Sequence, residues 1–288
     1  MKIIRKSIKT ICFSVLLLLA VCLIGACGPR EEENKENTQK RTLEITFDRD
    51  EETISGRLYL PEGEGPFPAV IICHGFGGNM QYLLQYGRFF QENGIAACAF
   101  DFVGGGPSSA SGGSMMEMSV LTEEKDLEAV LDGLSARPEI DEENIFLIGS
   151  SHGGFIATMT AAKRPNDVKG LISLYPGYGI QDYLKTLPDE NGELPESVEM
   201  LGNTVSRMYI EDALSVDIHS CMSAYPGPVL IIHGTADRIA PYFYSIRATQ
   251  YFPDAQLVPI EGAGHVFQGE DDDFAMETML SFISEHLN

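Results

Sequence analysis

The sequence predicts an α/β fold: a mostly parallel, doubly wound sheet with a lid insertion. Three observations predict it. Continuous apolar runs at 69–73, 95–100, 144–148 and 228–232 have the pattern of strands buried on both faces. Helical stretches lie between them, as at 121–134, where Leu127, Val130, Leu131 and Leu134 share one stripe. Strand and helix alternate at the spacing of βαβ units, whose crossovers make neighbouring strands parallel.

The amino terminus is of a different kind. Residues 1–9 are basic, and 11–24 form an apolar run as long as a signal h-region and too short for a comfortable membrane span. The run closes on Leu23-Ile24-Gly25-Ala26-Cys27, which resembles the lipobox of bacterial lipoproteins. That resemblance implies cleavage before Cys27 and diacylglyceryl attachment to its sulfur. The other reading is an ordinary signal peptide, or an uncleaved anchor, with an incidental cysteine. Lipid chains would hold the protein on a membrane surface without spanning it. Residues 28–40 are polar, acidic and aperiodic, as a disordered tether is. The expected division is a signal peptide over 1–26, a flexible tether over 27–41 and one domain over 42–288. The expected location is exported and lipid-anchored on the extracytoplasmic side of the cell membrane.

Within the domain, 43–47 and 54–60 alternate apolar and polar residues and predict a leading antiparallel hairpin. A Pro/Gly turn at 61–68 leads to the strand at 69–73. A helix is expected over 81–92, ended by Asn93-Gly94, then the strand at 95–100. Gly104-Gly105-Gly106-Pro107 must be a loop. The helix at 121–134, a strand–turn–helix at 144–162 and a strand at 168–174 follow. From 175 to 224 the pattern breaks. That stretch has three prolines, no expected strand and short helical pieces around 200–210, and it reads as a lid. Tyr175, Tyr178, Tyr183, Met208 and Tyr209 within it are candidates for a pocket or for packing against the body. The strand at 228–232, a helix at 242–252, a strand at 257–260 and a closing helix at 274–286 complete the chain.

Charge and motifs exclude several functions. The net charge is −22, and the first 26 residues hold four bases and no acid, so the remainder carries 16 bases against 42 acids. Such a surface argues against nucleic acid as a partner. No Cys-x-x-Cys or His-x-x-x-His metal spacing occurs, and no Lys-Ser/Thr follows the glycine run, so no metal, phosphate loop or organic cofactor is expected. Beyond the leader, Cys73, Cys98 and Cys221 are odd in number. Cys73 and Cys98 lie in apolar runs, as buried thiols or as a disulfide between adjacent strands.

The organising stretch is Asn144-Ile145-Phe146-Leu147-Ile148-Gly149-Ser150-Ser151-His152-Gly153-Gly154-Phe155. A strand, a Gly-x-Ser-x-Gly turn and a helix make the nucleophile elbow of α/β-hydrolases. The central serine needs a strained backbone, so the residues two away on each side must be small, as Gly149 and Gly153 are. Ser151, Asp237 and His265 each follow a predicted strand, and the carboxyl ends of parallel strands share one edge. Their order, serine then acid then histidine, is the one this fold uses. Ser151 is thus the candidate nucleophile, His265 its general base and Asp237 the carboxylate that orients the imidazole. Ser150 sits one residue off the apex, and Asp254 is a weaker candidate acid at a helix-to-strand turn. His74, His219 and His233 read as structural. An oxyanion hole needs two donors; the backbone N–H groups of His152 and Phe76 are the candidates.

The segments His74-Gly75-Phe76-Gly77-Gly78-Asn79, Gly149-Ser150-Ser151-His152-Gly153-Gly154, His233-Gly234-Thr235-Ala236-Asp237 and Glu261-Gly262-Ala263-Gly264-His265 together resemble the bacterial feruloyl/cinnamoyl esterases, a branch of the α/β-hydrolases. The resemblance spans roughly 43–287. It implies ester hydrolysis through an acyl-serine, with Phe76 as the second oxyanion donor. Two departures lie near the acyl pocket. Val103-Gly104-Gly105-Gly106 replaces an Arg-Gly-His/Tyr-Gly turn, and His152 stands where relatives often have Gln. The expected function is a serine carboxylic-ester hydrolase acting on hydroxycinnamoyl or other small esters. The alternatives are a prolyl-oligopeptidase-like serine peptidase and a non-enzymatic surface-binding lipoprotein.

Overall fold

Two paired strands lead the domain. β1 (Arg41–Arg49) and β2 (Glu52–Leu60) run antiparallel, in register from Arg41 opposite Leu60 to Arg49 opposite Glu52. In β1, alternate residues are exposed up to Phe47, as an edge strand with one solvated face requires. The computed structural model describes residues 39–287. The expected signal peptide, Cys27 and the tether up to residue 38 lie outside them.

The parallel strands are β3 (Phe67–Cys73), β4 (Ala96–Phe100), β5 (Ile140–Ser150), β6 (Gly170–Leu174), β9 (Val229–Gly234) and β10 (Ala255–Ile260). They join the hairpin in one eight-stranded sheet of order β1-β2-β4-β3-β5-β6-β9-β10. All pairs from β4 to β10 are parallel, and β2 is antiparallel to both its neighbours. β5 is buried from Asn144 to Ser150, as its apolar run requires.

Successive side chains point to opposite faces of the sheet. Ile71, Leu147, Leu171 and Ile231 pack on one face with α2 (Val120–Ser135), α3 (His152–Lys163) and α6 (Ile218–Ala224). Ile72, Ile148, Ile172 and Ile232 pack on the other with α1 (Leu84–Glu92) and α8 (Glu270–His286). Each of these aliphatic side chains contributes about 1.5–3 kcal/mol by leaving water. α8 starts four residues before the expected 274. Its first turn holds Glu270, Asp271, Asp272 and Asp273, and four carboxylates at the positive end of a helix favour its extension. Cys73 and Cys98 are free and buried, and burial pushes both thiols up, Cys98 to about 12.

The insert departs from expectation. It contains strands after all: β7 (Ser197–Met200) and β8 (Asn203–Ser206) pair antiparallel in a separate two-stranded sheet. Leu201 and Gly202 join them with φ of 48° and 78°, both in the left-handed region that a two-residue hairpin turn demands. Each strand has only four residues, and leucine is not a turn signature, so the period-two signal is lost. Within the expected 200–210 piece, helix begins only at α5 (Arg207–Ser215); α4 (Ile180–Leu184) precedes the hairpin and α6 follows α5. α7 (Phe243–Ala248) follows β9 and is shorter than the expected 242–252.

Candidate active site

The elbow is built by backbone strain. Ser151 joins β5 to α3 with φ 52° and ψ −118°, a conformation L-residues avoid. A Cβ on Gly149 would lie 2.3 Å from the Gly153 carbonyl oxygen, and one on Gly153 would lie 2.5 Å from that of His74. Both glycines are therefore required by backbone contact. Gly149→Ala is expected to destabilise the domain by about 1–3 kcal/mol or more, read as a lower denaturation midpoint.

Three strand ends meet at this turn. Ser151 Oγ lies 2.9 Å from His265 Nε2, and His265 Nδ1 lies 2.7 Å from Asp237 Oδ2. The Asp237 side chain is wholly buried. Its Oδ1 accepts the N–H groups of Ile239 and Ala240 at 2.8 and 2.9 Å. Its Oδ2 also faces His233 Nε2 at 3.1 Å. Burial by itself would raise this carboxyl, but the hydrogen bonds from His233, His265 and the two backbone groups outweigh it and hold Asp237 well below the usual carboxylate range. The Tyr175 ring packs edge-on against His265 at 4.9 Å. A hydroxyl, an imidazole and an ionised carboxylate in one line can pass the serine proton to the imidazole and stabilise the resulting cation.

The neighbouring candidates are placed elsewhere. Ser150 Oγ donates to the Cys73 carbonyl at 3.2 Å and turns away from His265. The Asp254 carbonyl caps the start of β9 by accepting the Val229 N–H, far from the histidine in its bonding. His219 packs its ring on Tyr251 at 4.2 Å. His233 is not a bystander: its Nε2 contacts Asp237 Oδ2 and the Ala240 carbonyl, and its Nδ1 faces Ser245 Oγ at 2.6 Å.

The loop after β3 is braced by His74. Its Nδ1 lies 2.8 Å from the Gly75 carbonyl, and its Nε2 accepts the Phe102 N–H at 3.1 Å. Burial lowers the His74 ring from its ordinary value and keeps it neutral. The Gly104–Gly106 run has a packing reason. Gly77 N–H donates to the Gly105 carbonyl at 3.0 Å, and a Cβ on Gly106 would lie 2.2 Å from the Gly78 carbonyl oxygen. Gly75 approaches Ser151 so closely that a Cβ there would sit 3.2 Å from the serine Cβ. Phe76 is thereby held beside the elbow, and its ring meets the His152 ring edge-on at 5.8 Å. His152 is the first residue of α3, so no intrahelical carbonyl lies one turn before its N–H.

A cavity of about 580 Å³ opens at Ser151. Its walls are mostly apolar and aromatic, with Phe76, Ile180, Met200, Tyr209, Ile239 and Tyr244 among them. Of the lid candidates, Tyr183 and Tyr209 line the cavity. Tyr178 does not; it is buried and its hydroxyl sits 2.9 Å from those of Thr158 and Ser173. Tyr175 supports His265 instead, and Met208 is on the surface. Sequence reasoning missed Glu123, whose Oε2 lies 2.5 Å from His152 Nε2 in the core. The available signal was an acid at helical spacing on the stripe of α2, three residues after Val120 and four before Leu127.

Comparison with known proteins agrees with this geometry. Residues 64–223, which include Ser151, match the family described as serine aminopeptidase S33. The rat mitochondrial palmitoyl-protein thioesterase ABHD10 is 26% identical over 224 residues, covering 70% of each chain. The 2,6-dihydropseudooxynicotine hydrolase of Paenarthrobacter nicotinovorans is 29% identical over 218 residues; the match covers 74% of this chain and 54% of that protein. Among solved structures, the ferulic acid complex of Est1E from Butyrivibrio proteoclasticus superposes with a TM-score of 0.77 at 24% identity, over 84% of this chain and 98% of that one. At that identity the superposition establishes the α/β-hydrolase fold. The family match takes in more than half of the chain, so this protein belongs to the S33 serine aminopeptidase family of α/β-hydrolases and is a serine hydrolase.

Proposed function

We propose that the protein hydrolyses carboxylic esters through an acyl-serine intermediate, with hydroxycinnamoyl and other small esters as substrates. The observation that carries this reading is the Asp237–His265–Ser151 line opening into a mostly apolar cavity. In the first half-reaction His265 Nε2 takes the Ser151 proton as Oγ adds to the ester carbonyl. The N–H groups of His152 and Phe76 hold the oxyanion; each such donor is worth about 10²–10³ in kcat. Collapse expels the alcohol, which takes the proton from His265. Water then enters, gives a proton to His265 and attacks the acyl-serine, and the proton returns to Oγ as the acid leaves.

A cavity of about 580 Å³ is in the range that holds small-molecule ligands and accommodates an aromatic acyl group. The test is a panel of methyl ferulate, p-nitrophenyl acetate to octanoate, and an aminoacyl anilide. Methyl ferulate as the best substrate would support the aromatic acyl pocket. A preference for alkyl esters would keep the mechanism and discard the hydroxycinnamate. A peptidase is the second reading, favoured by the carboxylates of Asp182 and Glu199 in the cavity wall, where a substrate ammonium could pair. Cleavage of the anilide in preference to the esters would select it.

The lipobox-like Leu23-Ile24-Gly25-Ala26-Cys27 supports export and lipid anchoring. Cys27→Ala in the full chain is expected to abolish labelling by radioactive palmitate and to move the protein out of the membrane fraction. Unchanged labelling and partition would overturn the anchor.

A further inference from the structure

Glu123 is wholly buried, and among the described residues only one of its carboxylate oxygens is satisfied: Oε2 by His152 Nε2 at 2.5 Å, while Oε1 has no hydrogen-bond partner there. His152 is itself 5% exposed. A buried polar pair with an unsatisfied oxygen adds little to stability, since replacing such a pair with apolar residues is often neutral or stabilising. Nor is Glu123 needed to cap α2. Ser119 and Thr122 already form a reciprocal capping box there, and the helix N-terminus makes the carboxylate tolerable without requiring it.

What the carboxylate does hold is the His152 ring, and that ring links the two residues that present the oxyanion N–H groups. His152 carries one of them on its own backbone. The Phe76 ring, attached to the other, packs edge-on against the imidazole at 5.8 Å. Tyr209 of the lid closes the group. Its ring lies 5.8 Å from both, and its hydroxyl is 3.5 Å from His152 Nδ1. A donor pair must sit within a few tenths of an ångström of the developing oxyanion to act. Glu123 also draws Nε2 into the core, so this imidazole cannot swing toward Ser151 and compete with His265 for its hydroxyl.

We propose that Glu123 is a positioning residue of the hydrolytic reaction, acting through the His152 ring to align the His152 and Phe76 N–H groups over Ser151. This rests on the reading of those two groups as the oxyanion donors. Because it acts on the transition state, the effect belongs in kcat and not in KM.

The test is a double-mutant cycle on the full chain, with p-nitrophenyl acetate turnover and the rate of Ser151 modification by a fluorophosphonate as readouts. Glu123→Leu is expected to lower kcat and the labelling rate about 10–100-fold, less than the loss of a donor because the N–H is shifted and not removed, with KM within about threefold. His152→Phe should cost about as much. Glu123→Leu added to His152→Phe should cost no more than about twofold further, because the residue it acts through is gone. Glu123→Gln keeps an acceptor for Nε2–H and should retain activity within about fivefold. Should Glu123→Leu alone fail to fold, the His152→Phe pair and Glu123→Gln still decide the matter, since an apolar pair in the core is well tolerated. The proposal is overturned if Glu123→Leu slows turnover equally in both backgrounds, if its effect lies in KM, or if Glu123→Leu turns over normally. Were the donor assignment itself wrong, His152→Phe would leave both readouts unchanged, which separates that failure from a failure of Glu123.

Discussion

Ser151→Ala is expected to lower kcat/KM for the best ester by about 10⁴–10⁶-fold while thermal unfolding stays where it was. The size follows from the geometry. Oγ is the atom at 2.9 Å from His265 Nε2, and among the described residues no other hydroxyl is bonded to that nitrogen. Removing it leaves the proposed oxyanion donors and the cavity, which can bind but have nothing to attack with. Stability is spared because the side chain makes no core contact that alanine lacks, and the backbone strain at φ 52° is common to both residues. Ser150→Ala is the matched control. It deletes the adjacent hydroxyl, whose bond is to the Cys73 carbonyl, and is expected to change turnover less than about tenfold. Stopped-flow assays on the two variants beside the parent would decide it. Loss of activity in Ser150→Ala with retention in Ser151→Ala would sink the assignment of nucleophile.

Asp237→Asn is the second large effect, about 10⁴-fold in kcat. Oδ1 accepts two backbone N–H groups, from Ile239 and Ala240, so the asparagine carbonyl oxygen must stay there. The amide NH₂ then takes the place of Oδ2 and points its protons at His265 Nδ1 and His233 Nε2. His265 is forced to accept at Nδ1 and to carry its proton on Nε2, facing Ser151, where it can no longer act as base. A pH signature accompanies this. Asp237 is held below its ordinary 3.8 in the folded state, so its stabilising contribution is complete above that value and is lost as pH falls below it. Asp237→Asn is expected to flatten that part of the acid-unfolding curve, as read by circular dichroism below about pH 4. A parent and variant that unfold in parallel over that range, or a variant with full activity, would contradict the assigned role.

The legible parts of this protein are those where one stretch of chain carries the whole signal. Runs such as Ala69–Cys73 announce buried strands by their composition, and the period-2 alternation in β1 and β2 announces a half-solvated hairpin. The elbow was legible for the same reason. The glycines that Ser151 requires are its own neighbours in sequence; the turn's own backbone forbids a side chain at Gly149, while the end of β3 forbids one at Gly153. The lid hairpin was not, since four-residue strands joined through Leu201 carry too little pattern.

The sequence by itself determined the fold class, the sheet with its leading hairpin, and which serine, aspartate and histidine lie at strand ends, because hydrophobic period and turn chemistry are local. Only the tertiary structure decided which acids and imidazoles meet. Asp237 holds His233 as well as His265, and His152 turns inward to Glu123, 29 positions earlier in the chain. It also separated the lid tyrosines, with Tyr209 against the cavity and Tyr175 behind His265. These contacts depend on how α2, α5 and the strand ends pack across the sheet. A carboxylate on a helix carries the same local signal whether it faces water or, like Glu123, an imidazole in the core.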